Sequence, residues 1–154
     1  MALAVGDKAP SFKLATGQGE TISSASLKGS PYVLYFYPKD DTSGCTKEAI
    51  AFSDHLKQFE KAGVRVIGVS KDSLQSHDKF RKKHKLKVIL GSDPELKMAE
   101  AWGVWGEKTL YGRKYMGMER ATFLVNAKGV IEKAWRKVKV PGHVEAVLEA
   151  AQSL

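Results

Sequence analysis

The feature that most constrains the fold is a run of six aromatic and branched residues, 32–37, followed at once by Pro38. Such a run predicts a buried strand, and the proline with the polar residues 39–44 predicts that the strand ends in a loop. From Ala49 onward the apolar residues recur three and four positions apart, the spacing of an amphipathic helix. Cys45, the single cysteine of the chain, therefore lies where a central strand passes into the start of a helix.

This position favours a reactive cysteine. Backbone N–H groups in the first turn of a helix have no partner within the helix, and the helix dipole stabilises an anion there, so the nucleophilic thiolate is favoured. A buried, inert thiol is the usual alternative for a lone cysteine. Against it, Ser43 and Gly44 are small neighbours that we expect to leave the thiol accessible. Thr42 is placed to cap the helix by accepting a first-turn N–H, and its hydroxyl could also contact a substrate on the sulfur. Pro38 could shield the site from water.

The rest of the chain alternates between strand and helix patterns. Strands are expected at residues 64–69, 88–90, 120–125 and 130–135, and helices at residues 45–62, 73–84, 95–102 and 143–152. Asp93 is expected to cap the third of these helices, residues 12–22 to form a hairpin, and residues 103–118 to form a long loop. A strand, a helix and a strand at this spacing indicate a parallel βαβ unit. We predict a single α/β domain over residues 1–154.

Composition and charge bear on whether the protein binds nucleic acid, crosses a membrane or is secreted. The net charge is +8, from 25 Lys and Arg against 17 Asp and Glu, and could attract nucleic acid or an acidic partner. The basic residues are scattered, without an Arg-rich arm or an RNA-binding signature, and the densest cluster, 79–85, fits an exposed helix face. We interpret the charge as a solvated surface and keep a nucleic-acid-binding module as the alternative. One cysteine allows no internal disulfide, and no signal peptide or long apolar run is present, so a cytoplasmic protein without a membrane segment is expected.

Several cysteine chemistries do not fit. A Cys-x5-Arg phosphatase would need arginine where this chain has Ala51, and a Cys-x-x-Cys pair would need cysteine where it has Glu48. No metal or cofactor is expected, because the histidines lack paired ligand spacing. We interpret four histidines as surface residues: His55, His77, His84 and His143. A Cys–His hydrolase stays open, because any histidine could approach the thiol in space.

Pro38, Thr42 and Cys45 stand at the spacing of the PxxxTxxC active-site motif of peroxiredoxins, and residues 35–48 resemble the bacterioferritin comigratory protein (PrxQ) branch of that family. Further similar stretches follow in the family's order at residues 69–73, 111–112, 120–124 and 138–143. The resemblance covers nearly the whole chain. It implies a thioredoxin-like fold, with a central mixed β-sheet flanked by helices and an N-terminal β-hairpin extension.

The resemblance also implies roles for five residues. Cys45 would be the peroxidatic cysteine that reduces hydrogen peroxide and organic hydroperoxides and becomes a sulfenic acid. Arg120 would be the active-site arginine, Thr42 the peroxide-binding hydroxyl, and Pro38 the shield of the site. Glu48 would orient Arg120. The alternatives are a surface charge at a strand end for Arg120, and a carboxylate that favours the first helical turn for Glu48.

The sequence departs from the branch in its cysteines. Resolving cysteines are common where this chain has Ile50 and near Arg81, and a proline is usual where it has Ser43. With no second thiol, we expect a one-cysteine cycle resolved by an external thiol such as thioredoxin, glutaredoxin or glutathione, in a monomer or weak homodimer. Engineered removal of a resolving cysteine would leave the same pattern. A thioredoxin-fold redox sensor with little turnover is the alternative function.

Overall fold

The structure is a computed structural model that describes residues 3–17 and 19–154. The strands are β1 (Lys13–Thr16), β2 (Thr21–Ser23), β3 (Tyr32–Phe36), β4 (Arg65–Ser70), β5 (Ile89–Ser92), β6 (Trp105–Leu110), β7 (Arg113–Met118), β8 (Ala121–Val125) and β9 (Ile131–Trp135). The helices are α1 (Ser43–Asp54), α2 (Leu56–Lys61), α3 (Leu74–His84), α4 (Lys97–Ala101) and α5 (His143–Gln152). In the described part of the chain, no helix is both long enough and apolar enough to cross a bilayer.

Seven strands form one mixed sheet in the order β2-β1-β5-β4-β3-β8-β9. β3 is parallel to β4 and antiparallel to β8, so the predicted parallel βαβ unit is confirmed. The N-terminal hairpin, β1 with β2, is also confirmed and joins this sheet by pairing with β5. Gln18, in its predicted turn, lies outside the described residues. The mixed sheet flanked by helices agrees with the expected thioredoxin-like class.

β3 is a fully buried interior strand of the sheet, and its side chains alternate between two cores. Leu34 and Phe36 belong to the core that includes Trp102, which follows α4. Val33 and Tyr35 belong to the opposite core, to which α1, α2, α3 and α5 contribute. Burying one such side chain contributes about 1.5 to 3 kcal/mol, so the five buried residues of β3 stabilise the sheet strongly. The loop that leads to α1 leaves the sheet at the end of this strand.

The segment 103–118 corrects a prediction, because it is a β-hairpin and not a long loop. β6 and β7 pair in register along their whole length as a separate two-stranded sheet. The turn residues Tyr111 and Gly112 have φ values of 51° and 78°, the left-handed pair that a tight hairpin turn requires. Sequence periodicity missed this hairpin because most of its side chains are solvent-exposed and give no alternation of buried and exposed residues.

The predicted helix over 45–62 is two helices, and the first begins at Ser43, directly after the predicted cap residue Thr42. The break lies at His55, whose imidazole Nδ1 is 2.8 Å from the carbonyl oxygen of Ala51. The same carbonyl oxygen also accepts the backbone N–H of His55 at 3.2 Å.

The predicted helix over 95–102 also starts later, at Lys97, because Leu96 has a left-handed φ of 62°. The N-cap residue is Leu96 and not Asp93 as predicted, but the Asp93 carboxylate accepts the N–H groups of Met98 and Ala99 in the first turn. The helix over 73–84 and the closing helix are confirmed, with Ser73 capping the former.

Candidate active site

Cys45 is the third residue of α1, and it faces the sheet. The buried residues of this helix are Cys45, Glu48, Ala49 and Phe52, whose spacing places them on one helical face. The cysteine is only 2% exposed. The expectation that its small neighbours leave it accessible is therefore wrong, since the helical phase of the third position turns the thiol toward the core.

Arg120 reaches this thiol from the sheet. Phe36 at the end of β3 pairs with Ala121 of β8, so the residue before Ala121 lies beside the point where the active-site loop leaves the sheet. Nη2 of Arg120 donates to the sulfur of Cys45 at 3.2 Å, and the arginine side chain is only 16% exposed. The alternative of an ordinary surface charge does not describe this side chain.

Gly44 makes room for the guanidinium. A Cβ atom at this position would lie 3.2 Å from Nη2 of Arg120, a tight contact that would push the guanidinium away by a few tenths of an ångström. The missing side chain therefore lets the cation approach the thiol along the first turn of α1.

Glu48 holds the other side of the guanidinium. Its Oε1 accepts from Nη1 of Arg120 at 2.7 Å, and the glutamate side chain is completely buried. Burial raises the pKa of Glu48 to about 7, although the charge of Arg120 and its hydrogen bond oppose this rise. Burial disfavours the charge on Arg120 too, but Glu48 and Cys45 outweigh it and raise the pKa of the arginine. The guanidinium is thus held as a permanent cation between the sulfur and the carboxyl group.

His143 is a neighbour of this site that sequence reasoning missed. Its Nε2 is 4.0 Å from Oε2 of Glu48 and 2.8 Å from Oγ1 of Thr122. Burial, and then the charge of Arg120, lower the pKa of His143 to about 4, so the ring is neutral at physiological pH. Within the described residues, Oε2 of Glu48 has no hydrogen-bond partner.

The prediction that all four histidines lie on the surface is wrong for His143 and His77, which are both buried. The burial of His143 could have been predicted from its position on the helix. This histidine shares the buried face of α5 with Val144, Val147, Leu148 and Ala151.

Thr42 precedes α1 at the N-cap position, but its hydroxyl makes no capping bond. The predicted bond to a first-turn N–H is therefore wrong, because the hydroxyl turns back into the loop and donates to the Lys39 carbonyl at 2.8 Å. The threonine is exposed, so its oxygen remains open to a small substrate. Pro38 directly follows the buried Tyr37 and is half-buried.

The arrangement suits attack by sulfur on a polar bond. The helix N-terminus and the guanidinium both place positive charge beside the sulfur. The guanidinium is held beside the sulfur by Glu48, and fixed donors of this kind can stabilise developing negative charge without reorganising. Across residues 3–17 and 19–154, no cluster of three or more His, Cys, Asp or Glu side chains is placed to hold a metal ion.

Comparison with known proteins agrees with this chemistry. The chain matches the AhpC/TSA family over residues 5–134. It is 46% identical over 154 residues to peroxiredoxin Bcp of Bacillus subtilis, covering all of this chain and 98% of that protein. It is 47% identical over 121 residues to peroxiredoxin Bcp of Xanthomonas campestris, covering 79% of this chain and 76% of that protein.

Solved structures give the same relationship. Peroxiredoxin Q of Xanthomonas campestris superposes with a TM-score of 0.87 at 42% identity, over 92% of this chain and 90% of that one. A cysteine-to-serine mutant of Xylella fastidiosa PrxQ superposes with a TM-score of 0.93 at 37% identity, over 99% and 98% of the two chains. One structure of the Xanthomonas campestris bacterioferritin comigratory protein concerns its alkyl peroxide reduction activity. The chain therefore belongs to the AhpC/TSA family and, within it, to the peroxiredoxins of the Bcp (PrxQ) branch, which are thiol-dependent peroxidases.

Proposed function

We propose that the chain reduces hydrogen peroxide and organic hydroperoxides in a one-cysteine cycle at Cys45. The observation that carries this proposal is the position of Arg120, whose guanidinium donates to the Cys45 sulfur and to the Glu48 carboxyl group at once. The alkyl peroxide reduction of the Xanthomonas campestris relative supports organic hydroperoxides as part of the substrate range.

In the oxidation step, the Cys45 thiolate attacks the terminal oxygen of the hydroperoxide and the O–O bond breaks. The sulfur is oxidised to a sulfenic acid, and the alkoxide or hydroxide that leaves takes a proton to become an alcohol or water. Arg120 stabilises the charge on the departing oxygen, and the exposed hydroxyl of Thr42 hydrogen-bonds the peroxide. Pro38 limits access of water, and Glu48 orients Arg120.

In the reductive step, an external thiol completes the cycle because the chain has no second cysteine. The first thiol condenses with the sulfenic acid, releases water and forms a mixed disulfide with Cys45. A second thiol then attacks this disulfide and returns the Cys45 thiolate. Thioredoxin, glutaredoxin and glutathione are the candidate reductants. We propose that the protein works as a monomer or weak homodimer in a reducing cytoplasm.

Stopped-flow peroxide reduction by the wild type and Cys45→Ser tests this proposal, with each candidate reductant supplied in turn. We expect one equivalent of peroxide to be consumed without reductant, and continuous turnover with at least one reductant. Mass spectrometry should show a sulfenic acid on Cys45 and, after thiol is added, a mixed disulfide. Turnover without external thiol, or activity in Cys45→Ser, would contradict the proposal. A single equivalent with every reductant would instead indicate a redox sensor.

A further inference from the structure

His77, the second buried histidine, lies outside the group around Arg120 and contacts the active-site loop instead. Its side chain is fully buried on α3. Nδ1 is 2.7 Å from Oδ2 of Asp40, and Nε2 is 2.9 Å from the carbonyl oxygen of Gly91 on β5. Both ring nitrogens therefore have an oxygen partner that can accept a hydrogen bond.

The hydrogen-bonding partners of this ring restrict where its protons can lie. A backbone carbonyl can only accept, so Nε2 of His77 must carry a hydrogen. The Asp40 carboxyl group is also in contact with the hydroxyls of Tyr37 at 2.6 Å and Ser76 at 2.8 Å. Every one of these bonds is satisfied if Asp40 is an ionised acceptor and both nitrogens of His77 are protonated.

Asp40 is held from three elements. Tyr37 follows β3, Ser76 and His77 belong to α3, and the backbone N–H of Asp40 donates to Asp72 at 2.8 Å, in the connection between β4 and α3. The aspartate lies between Pro38 and Thr42, five residues before Cys45. These contacts therefore fix the middle of the loop that carries the proposed peroxide-binding hydroxyl.

A buried ion pair contributes little net stability, because removing two charges from water costs about as much as their attraction returns. Its directional bonds can instead define one loop position. We propose that Asp40 and His77 form a buried carboxylate–imidazolium pair that positions loop residues 38–42 for the reaction of Cys45 with peroxide. Both are positioning residues, and the proposal rests on the peroxidase function proposed above.

The neighbouring carboxylate offers a matched control. Asp41 also connects this loop to α3, through Lys83 at 2.6 Å and His84 at 2.8 Å, but its side chain is exposed. Solvent screens such pairs, so they fix a position weakly. Asp41→Asn therefore changes the same functional group, one residue away, without touching the buried pair.

Nitrogen-15 NMR of the histidine rings in the reduced wild type, at neutral pH, tests the charge state. We expect His77 to show two protonated ring nitrogens, while His143 shows one. The assignment comes from loss of the His77 signals in His77→Gln. A wild-type His77 ring with an unprotonated Nδ1 would overturn the proposed ion pair.

Single-turnover oxidation by hydrogen peroxide tests the positioning role, with thermal unfolding measured on the same samples. We expect Asp40→Asn and His77→Gln each to slow oxidation of the folded protein about tenfold, because small displacements of reacting groups are costly. The double variant should be no slower than the slower single variant, and Asp41→Asn should match the wild type.

The outcomes separate this proposal from a purely structural role and from the function itself. Lower unfolding temperatures with unchanged oxidation rates, or failure of both single variants to fold, would assign the pair to stability alone and overturn the positioning role. Equal slowing by Asp41→Asn would overturn it too. A wild type that does not react with peroxide would instead refute the proposed function.

Discussion

Two arginine–glutamate ion pairs in this protein involve neighbouring residues of the sequence and differ in how deeply they are buried. Glu119 and Arg120 are adjacent in the sequence, yet each pairs with a different partner. Arg120 binds the fully buried Glu48 beside Cys45. Glu119 binds Arg136 through two hydrogen bonds of 2.7 and 3.0 Å, and both side chains are partly exposed.

The glutamates of the two pairs respond in opposite directions. Burial raises the pKa of Glu48 to about 7. Burial also acts to raise the pKa of Glu119, but the hydrogen bonds from Arg136 and the Lys137 N–H outweigh it and lower that pKa. Near the surface, an arginine–glutamate pair is thus a stabilising contact whose hydrogen bonds favour the ionised glutamate. In the core it is a costly arrangement, and its use is to hold a cation against a sulfur atom.

The largest expected effect separates the two arginines by reactivity. Arg120→Gln should slow oxidation of Cys45 by about 10² to 10³-fold, since it removes a fixed donor from the developing charge. Arg136→Gln should leave this rate unchanged. Stopped-flow measurements with hydrogen peroxide on both variants provide the comparison, and similar losses in the two would remove the distinction between the pairs.

The next effect separates the two glutamates by pH. The folded-state pKa of Glu48 is raised from 4.5 to about 7, so its contribution to stability is fully present below 4.5 and is lost as the pH rises through 7. Glu48→Gln cannot ionise. The free energy of unfolding of this variant, relative to wild type, should therefore rise by about 3 kcal/mol between acid and mildly alkaline pH. Urea unfolding across that range measures it, and a flat difference would show that the buried carboxyl does not titrate there.

A smaller effect of opposite sign is expected at the second pair. Because the folded-state pKa of Glu119 is lowered, its contribution is present above 4.5 and is lost as the pH falls through the lowered value. Arg136→Gln should therefore lower the free energy of unfolding at neutral pH by about 1 kcal/mol, a modest figure because solvent screens the pair. The deficit should shrink in acid. Urea unfolding of Arg136→Gln tests this sign, and a deficit that grows in acid would contradict it.

The smallest expected effect is on stability, at a fully exposed ion pair that serves as a reference for the two arginine–glutamate pairs. Asp78 and Lys82 form an ion pair of 2.9 Å one turn apart on α3, with both side chains exposed. Lys82→Gln should lower the free energy of unfolding by no more than about 0.5 kcal/mol at any pH. Thermal unfolding suffices to measure it. A loss comparable to that of Arg136→Gln would mean that burial does not rank these pairs.

Local patterns were enough to predict the centre of the fold. The buried run 32–37, the loop after Pro38 and the change of period from Ala49 place Cys45 at the start of a helix, as observed. The β6–β7 hairpin was missed because a sheet without a buried face leaves no periodic signal.

The site itself depends on contacts that no local pattern contains. The approach of Arg120 to Cys45 is set by the pairing of β8 with β3, and only the family resemblance pointed to it. Burial of His77 and His143 likewise depends on partners distant in sequence, Asp40 for the first and Thr122 for the second. A polar residue type alone favours a surface position, and only the tertiary contacts of these two histidines reveal that they are buried.

The burial of Cys45 has a consequence for the choice of reductant. A hydroperoxide is small, but a protein dithiol is a bulky reagent that needs a wide approach to the same sulfur. With 2% of the residue exposed, a protein reductant has little access to this sulfur in the observed conformation. We therefore expect a compact thiol such as glutathione to need a smaller local opening around Cys45 than a folded protein reductant needs.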